Sequence, residues 1–343
     1  AGGAGYIGAH ATKALQNAGF NPVVIDNLIF GHRYLIENVL GVDLVVGQVG
    51  DKKLIVSLLS GKHPATIGKK IVGILHFAAY TYVGESVKDP AKYYKNNLAD
   101  TINMLEAIIQ ISKQKNIPPI PIVFSSSCAT YGIPTEKDIP IKENLSQKPI
   151  NPYGHTKLMI EQILKDYNYA YNQPVAILRY FNAAGADSNG QLGEDHEPET
   201  HLIPLVLKAL DSEDGIINVF GNDYSTFDGT CIRDYIHVED LASAHVLSLK
   251  KIIKDKSVSI YNLGNGKGHS IMQVINTARE VTNKDIKIKY LPRREGDPPV
   301  LISSTEKAKK ELNWVPNFPE LETIIKHAWV WYKNNKRRKE LGQ

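Results

Sequence analysis

Cysteine is scarce in this chain: Cys128 and Cys231 are the only two in 343 residues, too few to staple a protein of this length and without the paired spacing of a zinc site. A reducing compartment, the cytoplasm, is expected. No run approaches the ~18 consecutive apolar residues of a membrane span, and the apolar runs that do occur, such as IPIVF and IVGIL, have strand length. No membrane partner is expected. Charge of one sign is lacking too: 40 basic against 36 acidic side chains leave +4. Much of that excess lies in the closing KNNKRRKE, which reads as a solvated tail rather than a nucleic-acid footprint. What remains is 43% hydrophobic and 22% charged, with 26 Gly and 18 Pro, the composition of a globular protein of one large or two moderate domains. Because the sequence opens at Ala1 inside a glycine motif, it reads as truncated, without the strand expected before that motif and without targeting information.

From residue 1 to about 182, β-branched runs alternate with helical stretches, the pattern of an α/β doubly wound parallel sheet of Rossmann type. The runs are NPVVIDN (21–27), VDLVVGQ (42–48), IVGILHFA (71–78), PIVFSSS (121–127) and PVAILRYFN (174–182); helices are expected over 7–18, 89–112 and 153–171. Continuous Val/Ile character suits strands buried on both faces. Beyond residue 182 the rhythm breaks into long Gly/Asp/Pro-rich loops, GADSNGQLGEDHEPETH and FGNDYSTFDGTCIRD, which usually carry function. The division expected is therefore a dinucleotide-binding domain, 1–182, and a smaller substrate lobe, 183–343, with some segments returning to the first domain.

Gly2, Gly5 and Gly8 form GxxGxxG directly before the helical run IGAHATKALQNAG, where glycines let backbone N–H groups approach a pyrophosphate at a helix N-terminus. The motif alone is weak evidence. Asp26, closing the next strand about twenty residues on, adds a carboxylate that holds ribose hydroxyls and repels a 2′-phosphate, which points to NAD rather than NADP.

Tyr153 and Lys157 make YxxxK at the start of a helix, so both side chains leave one face and the ammonium is expected to depress the phenol pKa of ~10 toward neutrality. The spacing recurs at Tyr332 and Lys336, without a glycine loop or serine to work with. Only Tyr153 follows a strand, FSSSCATYG, that can present Ser127 at the sheet's carboxyl edge. Serine, tyrosine and lysine around a nicotinamide form a proton-handling set for hydride transfer at a secondary alcohol. A serine hydrolase is disfavoured because no GxSxG elbow exists.

In order along the chain stand GGAGYIGAH, DNL, HFAAYTYVGES, YYKNN, FSSSCATYG, NPYGHTK, RYFNAAGA, FGNDY, DGTCIRDYIHV and PRREGD. This series, running to about residue 315, closely resembles the UDP-glucose 4-epimerase family of the extended short-chain dehydrogenase/reductase superfamily. The resemblance implies NAD-dependent epimerisation at C4 of a UDP-hexose through a 4-keto sugar, with UDP-pentose epimerisation as the alternative. It implies the catalytic positions Ser127, Tyr153 and Lys157, and NAD contacts at Gly2, Gly5, Tyr6, Ile7, Asp26, Asn27, Phe77, Ala78, Asn97, Tyr180 and Phe181. The UDP-sugar contacts it implies are Asn182, Leu202, Phe220, Arg233, Arg294 and Asp297, with Leu301 either near the sugar's C2 or only packed against its loop. A homodimer is implied as well, formed by helices around 92–112 and 153–171 whose surplus tyrosines include Tyr167, Tyr169 and Tyr171.

The chain departs from the family pattern at Gln48, usually an aspartate touching adenine, and at Phe30 and Gly31, usually small polar residues near the adenosine ribose; cofactor affinity is the property these touch. Dehydratases of the superfamily place an Asp-Glu pair after the position of Ser127, where this chain has Cys128 and Ala129, so dehydration and decarboxylation are the weaker readings. A non-catalytic NAD-sensing module has no need of Ser127, Tyr153 and Lys157 together. Glu194, Asp195, His196, Glu197, Glu199 and His201 are nearly contiguous in a loop rather than spaced on a helix face, and no metal is expected.

Overall fold

The computed structural model describes residues 1–294 and 296–340. Its strands are β1 (Val23–Asp26), β2 (Asp43–Val46), β3 (Ile74–His76), β4 (Ile122–Ser127), β5 (Val175–Tyr180), β6 (Asn182–Ala184), β7 (Ile216–Phe220), β8 (Ile232–His237), β9 (Val258–Leu263), β10 (Gly268–Ser270), β11 (Lys287–Leu291) and β12 (Val300–Leu301). All five expected runs contain a strand. β3, β4, β5 and β9 form a parallel sheet in that order, and β1 pairs with β2, also parallel. Residues 1 and 2 lie between the two: the Ala1 amine donates to Leu75 O at 2.9 Å, Phe77 N donates to Ala1 O at 2.8 Å, and Gly2 N donates to Ile25 O at 2.8 Å.

Alternation along the strands feeds two cores. Val123, Ala176 and Leu178 pack with Ala11, Leu241 and Leu249, under the helices Tyr6–Asn17 and Val238–Asp255. Phe124, Val175 and Ile177 face the other way onto Met104, Leu105, Ile160 and Leu164, from the helices Asp100–Lys115 and Pro152–Tyr171. Every residue of β4 is buried, as a strand covered by helices on both faces requires. Such burial carries order 2 kcal/mol per large aliphatic side chain, so the strand ends, and the loops leaving them, are held on a rigid frame.

Of the segment 183–343, β9 and the helix Val238–Asp255 thus lie on the first sheet. Ala308, Leu312 and Trp314 join that sheet's core and Ala186, Leu192 and Trp331 pack with Val24 of β1, whereas a separate core packs the parallel pair β7 and β11 with the helices Leu202–Leu210, Ile271–Thr282 and Leu321–Glu340. β8 pairs with β6, β10 and β12. Among the described residues no helix is long and apolar enough to cross a membrane.

Two local features aim the site. Asn151 caps the helix Pro152–Tyr171 by accepting from Gly154 N at 2.8 Å, with Pro152 in the first turn, which fixes where Tyr153 leaves the helix. The expected helix 89–112 is instead interrupted: Pro90–Tyr93 leads into a widened π-type turn, Tyr94–Ala99, before Asp100–Lys115 begins. Such turns often mark functional positions, and this one carries Asn97 into the interior.

Candidate active site

The loops after β1, β3, β4 and β5 open on one edge of the sheet and line a cleft of about 430 Å³. At one end stands the glycine loop. Gly2 has φ +75°, and a Cβ there would lie 2.4 Å from Ala78 N; a Cβ on Gly8 would lie 2.1 Å from Gly2 O. Both glycines are demanded by close backbone packing. A Cβ on Gly5 would meet only Gly2 O, at 3.8 Å, so Gly5 keeps a bare face at the cleft. It also begins the helix Tyr6–Asn17 with no side-chain cap, leaving the first N–H groups to a ligand. Asp26 is buried and oriented, its Oδ2 accepting from Ala4 N at 2.9 Å and its Oδ1 from Leu28 N at 2.8 Å. Tyr6, Ile7, Asn27, Phe77 and Ala78 line this end.

Ser127, Tyr153, Tyr180, Phe181, Asn182 and Leu202 line the other end. Lys157 is placed differently from the expectation. Its ammonium donates to Ser125 O at 2.7 Å and lies over the Phe124 ring at 4.9 Å, farther from the Tyr153 ring centre, 5.8 Å. Burial pushes the Tyr153 phenol up to about 12, although the Ser127 hydroxyl beside it pulls the other way. Burial also brings Lys157 down to about 7 against the attraction of Glu161. The expected depression of the phenol by the ammonium is therefore corrected: in the protein alone, desolvation wins.

Asn97 is buried and off the cleft wall; its side chain brackets the Tyr80 backbone, accepting from Tyr80 N at 2.8 Å and donating to Tyr80 O at 3.0 Å. Phe220, Arg233, Arg294, Asp297 and Leu301 form a neighbouring group rather than lining the cleft. Arg233 donates to Pro298 O at 2.9 Å and to Asp297 Oδ1 at 3.3 Å, and Arg294 stacks over the Phe220 ring at 3.9 Å. Leu301 pairs with Arg233 across β12 and β8 and packs on Tyr131, Ile141 and Phe181. The second YxxxK has no site: Tyr332 stacks on Trp329 and Lys336 pairs with Asp211.

The loop residues Glu194, His196, Glu199 and His201 do converge, one ligand atom from each lying within 4.8 Å of the others, and three of them, Glu194, His196 and His201, line the cleft. Sequence proximity understated this convergence, because a loop can fold its own neighbours inward. The charges are met only in part within the group, since burial and the Glu194 charge both raise Glu199. Burial works to raise Glu194, but His201 and His196 overcome it and draw the carboxyl to about 2, while the Glu194 charge raises His201 to about 9 against burial. Tyr80, Tyr82 and Phe30 also line the cleft. The tyrosines were visible only within the motif HFAAYTYVGES, and no periodicity distinguishes them from ordinary loop aromatics.

The family profile described as the NAD dependent epimerase/dehydratase family matches residues 1–264. The UDP-glucose 4-epimerase of Halalkalibacterium halodurans is 45% identical over 334 residues, covering 97% of this chain and 95% of the relative. A crystal structure of UDP-glucose 4-epimerase from Brucella ovis in complex with NAD superposes with a TM-score of 0.86 at 44% identity, covering 96% of this chain and 95% of that one. The UDP-Glc/GlcNAc 4-epimerase of Campylobacter jejuni superposes with a TM-score of 0.80 at 36% identity, covering 97% and 98%. With the glycine cradle, Asp26 and the Ser127–Tyr153 pair in one cleft, these likenesses mean that the chain belongs to the NAD dependent epimerase/dehydratase family, in its UDP-glucose 4-epimerase branch.

Proposed function

We propose that this chain interconverts UDP-glucose and UDP-galactose by epimerisation at C4, through a transient 4-keto sugar and with NAD as cofactor. The carrying observation is that one cleft has a bare-faced glycine cradle with a buried carboxylate at one end and Ser127 with Tyr153 at the other. These residues fit a dinucleotide: Gly5 leaves a face that a Cβ would fill, and Asp26 offers a carboxylate suited to free ribose hydroxyls. Gly2, Tyr6, Ile7, Asn27, Phe77, Ala78, Tyr180 and Phe181 complete the binding surface, and Asn97 acts behind it by fixing the Tyr80 backbone. When bound, NAD supplies the acceptor and donor of the C4 hydride and, in its oxidised form, a positive charge that favours a phenolate.

The protein's own part is proton handling and grip. Tyr153 takes the proton of the sugar 4-hydroxyl and later returns it, with Ser127 steadying the proton at the phenol oxygen. Lys157 ties the start of the helix Pro152–Tyr171 to β4 through Ser125 O and so holds Tyr153 at the strand end. Arg233 and Arg294, with Asn182, Leu202, Phe220 and Asp297, bind the UDP portion; a guanidinium pairs a phosphate bidentately, with Arg233 exchanging Asp297 for it. Held by its diphosphate, the keto sugar turns its other face inward without leaving. Dehydration is disfavoured because Cys128 and Ala129, which line the cleft directly after Ser127, offer no carboxylic acid.

The assembly proposed is a homodimer joined through the helices Asp100–Lys115 and Pro152–Tyr171, on which Tyr169 is 93% exposed and Met159 and Tyr171 about 40%, a liability on a monomer. Sedimentation showing only monomer at micromolar concentration would exclude it. The free thiols of Cys128 and Cys231 suit the cytoplasm. The functional test is conversion of UDP-galactose to UDP-glucose without added reductant, read by coupled oxidation, together with NAD released from the acid-denatured protein. Conversion with NAD released supports the reading; no conversion by folded, NAD-loaded protein contradicts it.

A further inference from the structure

The loops that follow β1, β3 and β6 are joined across the cleft by contacts that no proton or hydride step uses. Phe30, from the first loop, packs edge-on against Tyr82 and Tyr80 of the second, with ring centroids 5.5 and 5.9 Å apart at interplanar angles of 79° and 88°. The Tyr82 hydroxyl donates to Pro198 O in the third loop at 3.0 Å. The third loop returns to the first through His32 Nε2, which lies 2.8 Å from Asp195 O. The two tyrosines are held from behind: Tyr93 donates to Tyr82 O at 2.7 Å, Lys92 lies over the Tyr80 ring at 4.3 Å, and Asn97 brackets the Tyr80 backbone. Gly31 lets the turn carrying Phe30 press against Asp26, since a Cβ there would lie 2.8 Å from Asp26 Oδ1.

We infer that Phe30 and Tyr82 are retaining residues, a clasp that sets how slowly the dinucleotide leaves the cleft. The inference rests on the NAD reading above. A phenyl ring at position 30 offers no hydrogen bond to a ribose, so what it contributes there is steric: it closes the space between loops that a departing ligand must part. The departures at Phe30 and Gly31 from small polar residues thus act together, the glycine making room beside Asp26 for the ring's turn and the ring meeting Tyr82 across the cleft. Tyr82 then carries the closure to the third loop through its hydroxyl. An enzyme that regenerates its own cofactor within each cycle loses nothing by slow release.

The test is the release of radiolabelled NAD from the purified holoenzyme into excess unlabelled NAD, followed by filtration, for wild type, Phe30→Ala and Tyr82→Phe. Losing two edge-to-face pairs is expected to speed release about tenfold in Phe30→Ala. Losing one hydroxyl bond while keeping the ring is expected to speed it about fivefold in Tyr82→Phe. Unfolding of the NAD-free proteins separates a clasp from general loosening, because Tyr82→Phe should keep one cooperative transition whose midpoint falls by no more than the loss of a single hydrogen bond allows. If Phe30→Ala does not fold, Tyr82→Phe decides alone. Release at the wild-type rate in the folded variants overturns the clasp, whereas a wild type that holds no NAD overturns the cofactor reading itself.

Discussion

The Lys157 ammonium donates to the Ser125 carbonyl, 2.7 Å away, rather than to the Tyr153 hydroxyl one helical turn before it. The lysine is thereby a strut between the helix Pro152–Tyr171 and β4, and a buried one, drawn by desolvation from 10.5 to about 7. In the unfolded chain the amine keeps its ordinary value, so between pH 7 and 10.5 the unfolded state binds the extra proton and unfolding grows costlier as pH rises. The stability cost of burying Lys157 is full below pH 7 and fades toward 10.5. Lys157→Met should therefore gain on wild type most below pH 7, with the difference shrinking by about pH 9 in urea unfolding of the NAD-free proteins. A difference independent of pH would refute the buried, depressed amine.

Two glycines of one loop should respond oppositely to alanine. Gly2→Ala forces a Cβ to 2.4 Å from backbone at φ +75° and should cost more than about 2 kcal/mol of stability. Gly5→Ala meets only Gly2 O at 3.8 Å and should change stability by less than about 1 kcal/mol, while weakening NAD binding by crowding the bare face. Thermal unfolding and NAD titration of the two variants check this; equal affinities for wild type and Gly5→Ala would remove the cradle's role.

Beneath Lys157, Glu161 and Arg179 form a buried pair at 2.6 Å, with side chains 0% and 2% exposed. Ser126 and Gln147 also donate to Glu161, and Arg179 donates to the Tyr131 hydroxyl at 2.9 Å. Glu161→Gln leaves the guanidinium uncompensated and should destabilise by about 3–5 kcal/mol, whereas replacing both partners with apolar residues should recover much of that. Chemical denaturation of the single and double variants measures it.

Leu301 has two readings, a wall of the sugar pocket near C2 or a residue that only packs against its loop. It packs on Tyr131, Ile141 and Phe181, and of these Phe181 lines the cleft. Leu301→Tyr should cost about 1–3 kcal/mol by overpacking and change the turnover ratio of UDP-galactose to UDP-N-acetylgalactosamine by less than about tenfold, since its influence passes through another ring. A larger change in the ratio would return the residue to the pocket.

The sheet was legible because its strands are unbroken Val/Ile runs and its helices keep their period; the interruption at Tyr94–Ala99 was not, since YKNNLA continues the helical pattern and the partners of Asn97, Tyr80 and Thr156, are distant in sequence. That Gly2, Asp26, Ser127 and Tyr153 share one cleft was legible because each stands near a strand end or helix start marked by its neighbours. The direction of the Lys157 side chain could not be found that way. Spacing of four residues says which face a side chain leaves, whereas its partner depends on the strand beneath, and here the Ser125 carbonyl outcompetes the phenol. Loop aromatics such as Tyr82 and the folded-in group around Glu194 escape for the same reason: contacts between distant loops have no period.

Tyr153 is the group proposed to move the substrate's proton. The most direct measurement is turnover of UDP-galactose by Tyr153→Phe, with the NAD content of the purified variant measured alongside. Turnover should fall by about 10²–10⁴-fold with NAD still bound, because the substitution removes one oxygen and leaves the cleft's shape intact. Wild-type turnover in the NAD-loaded Phe variant would contradict it.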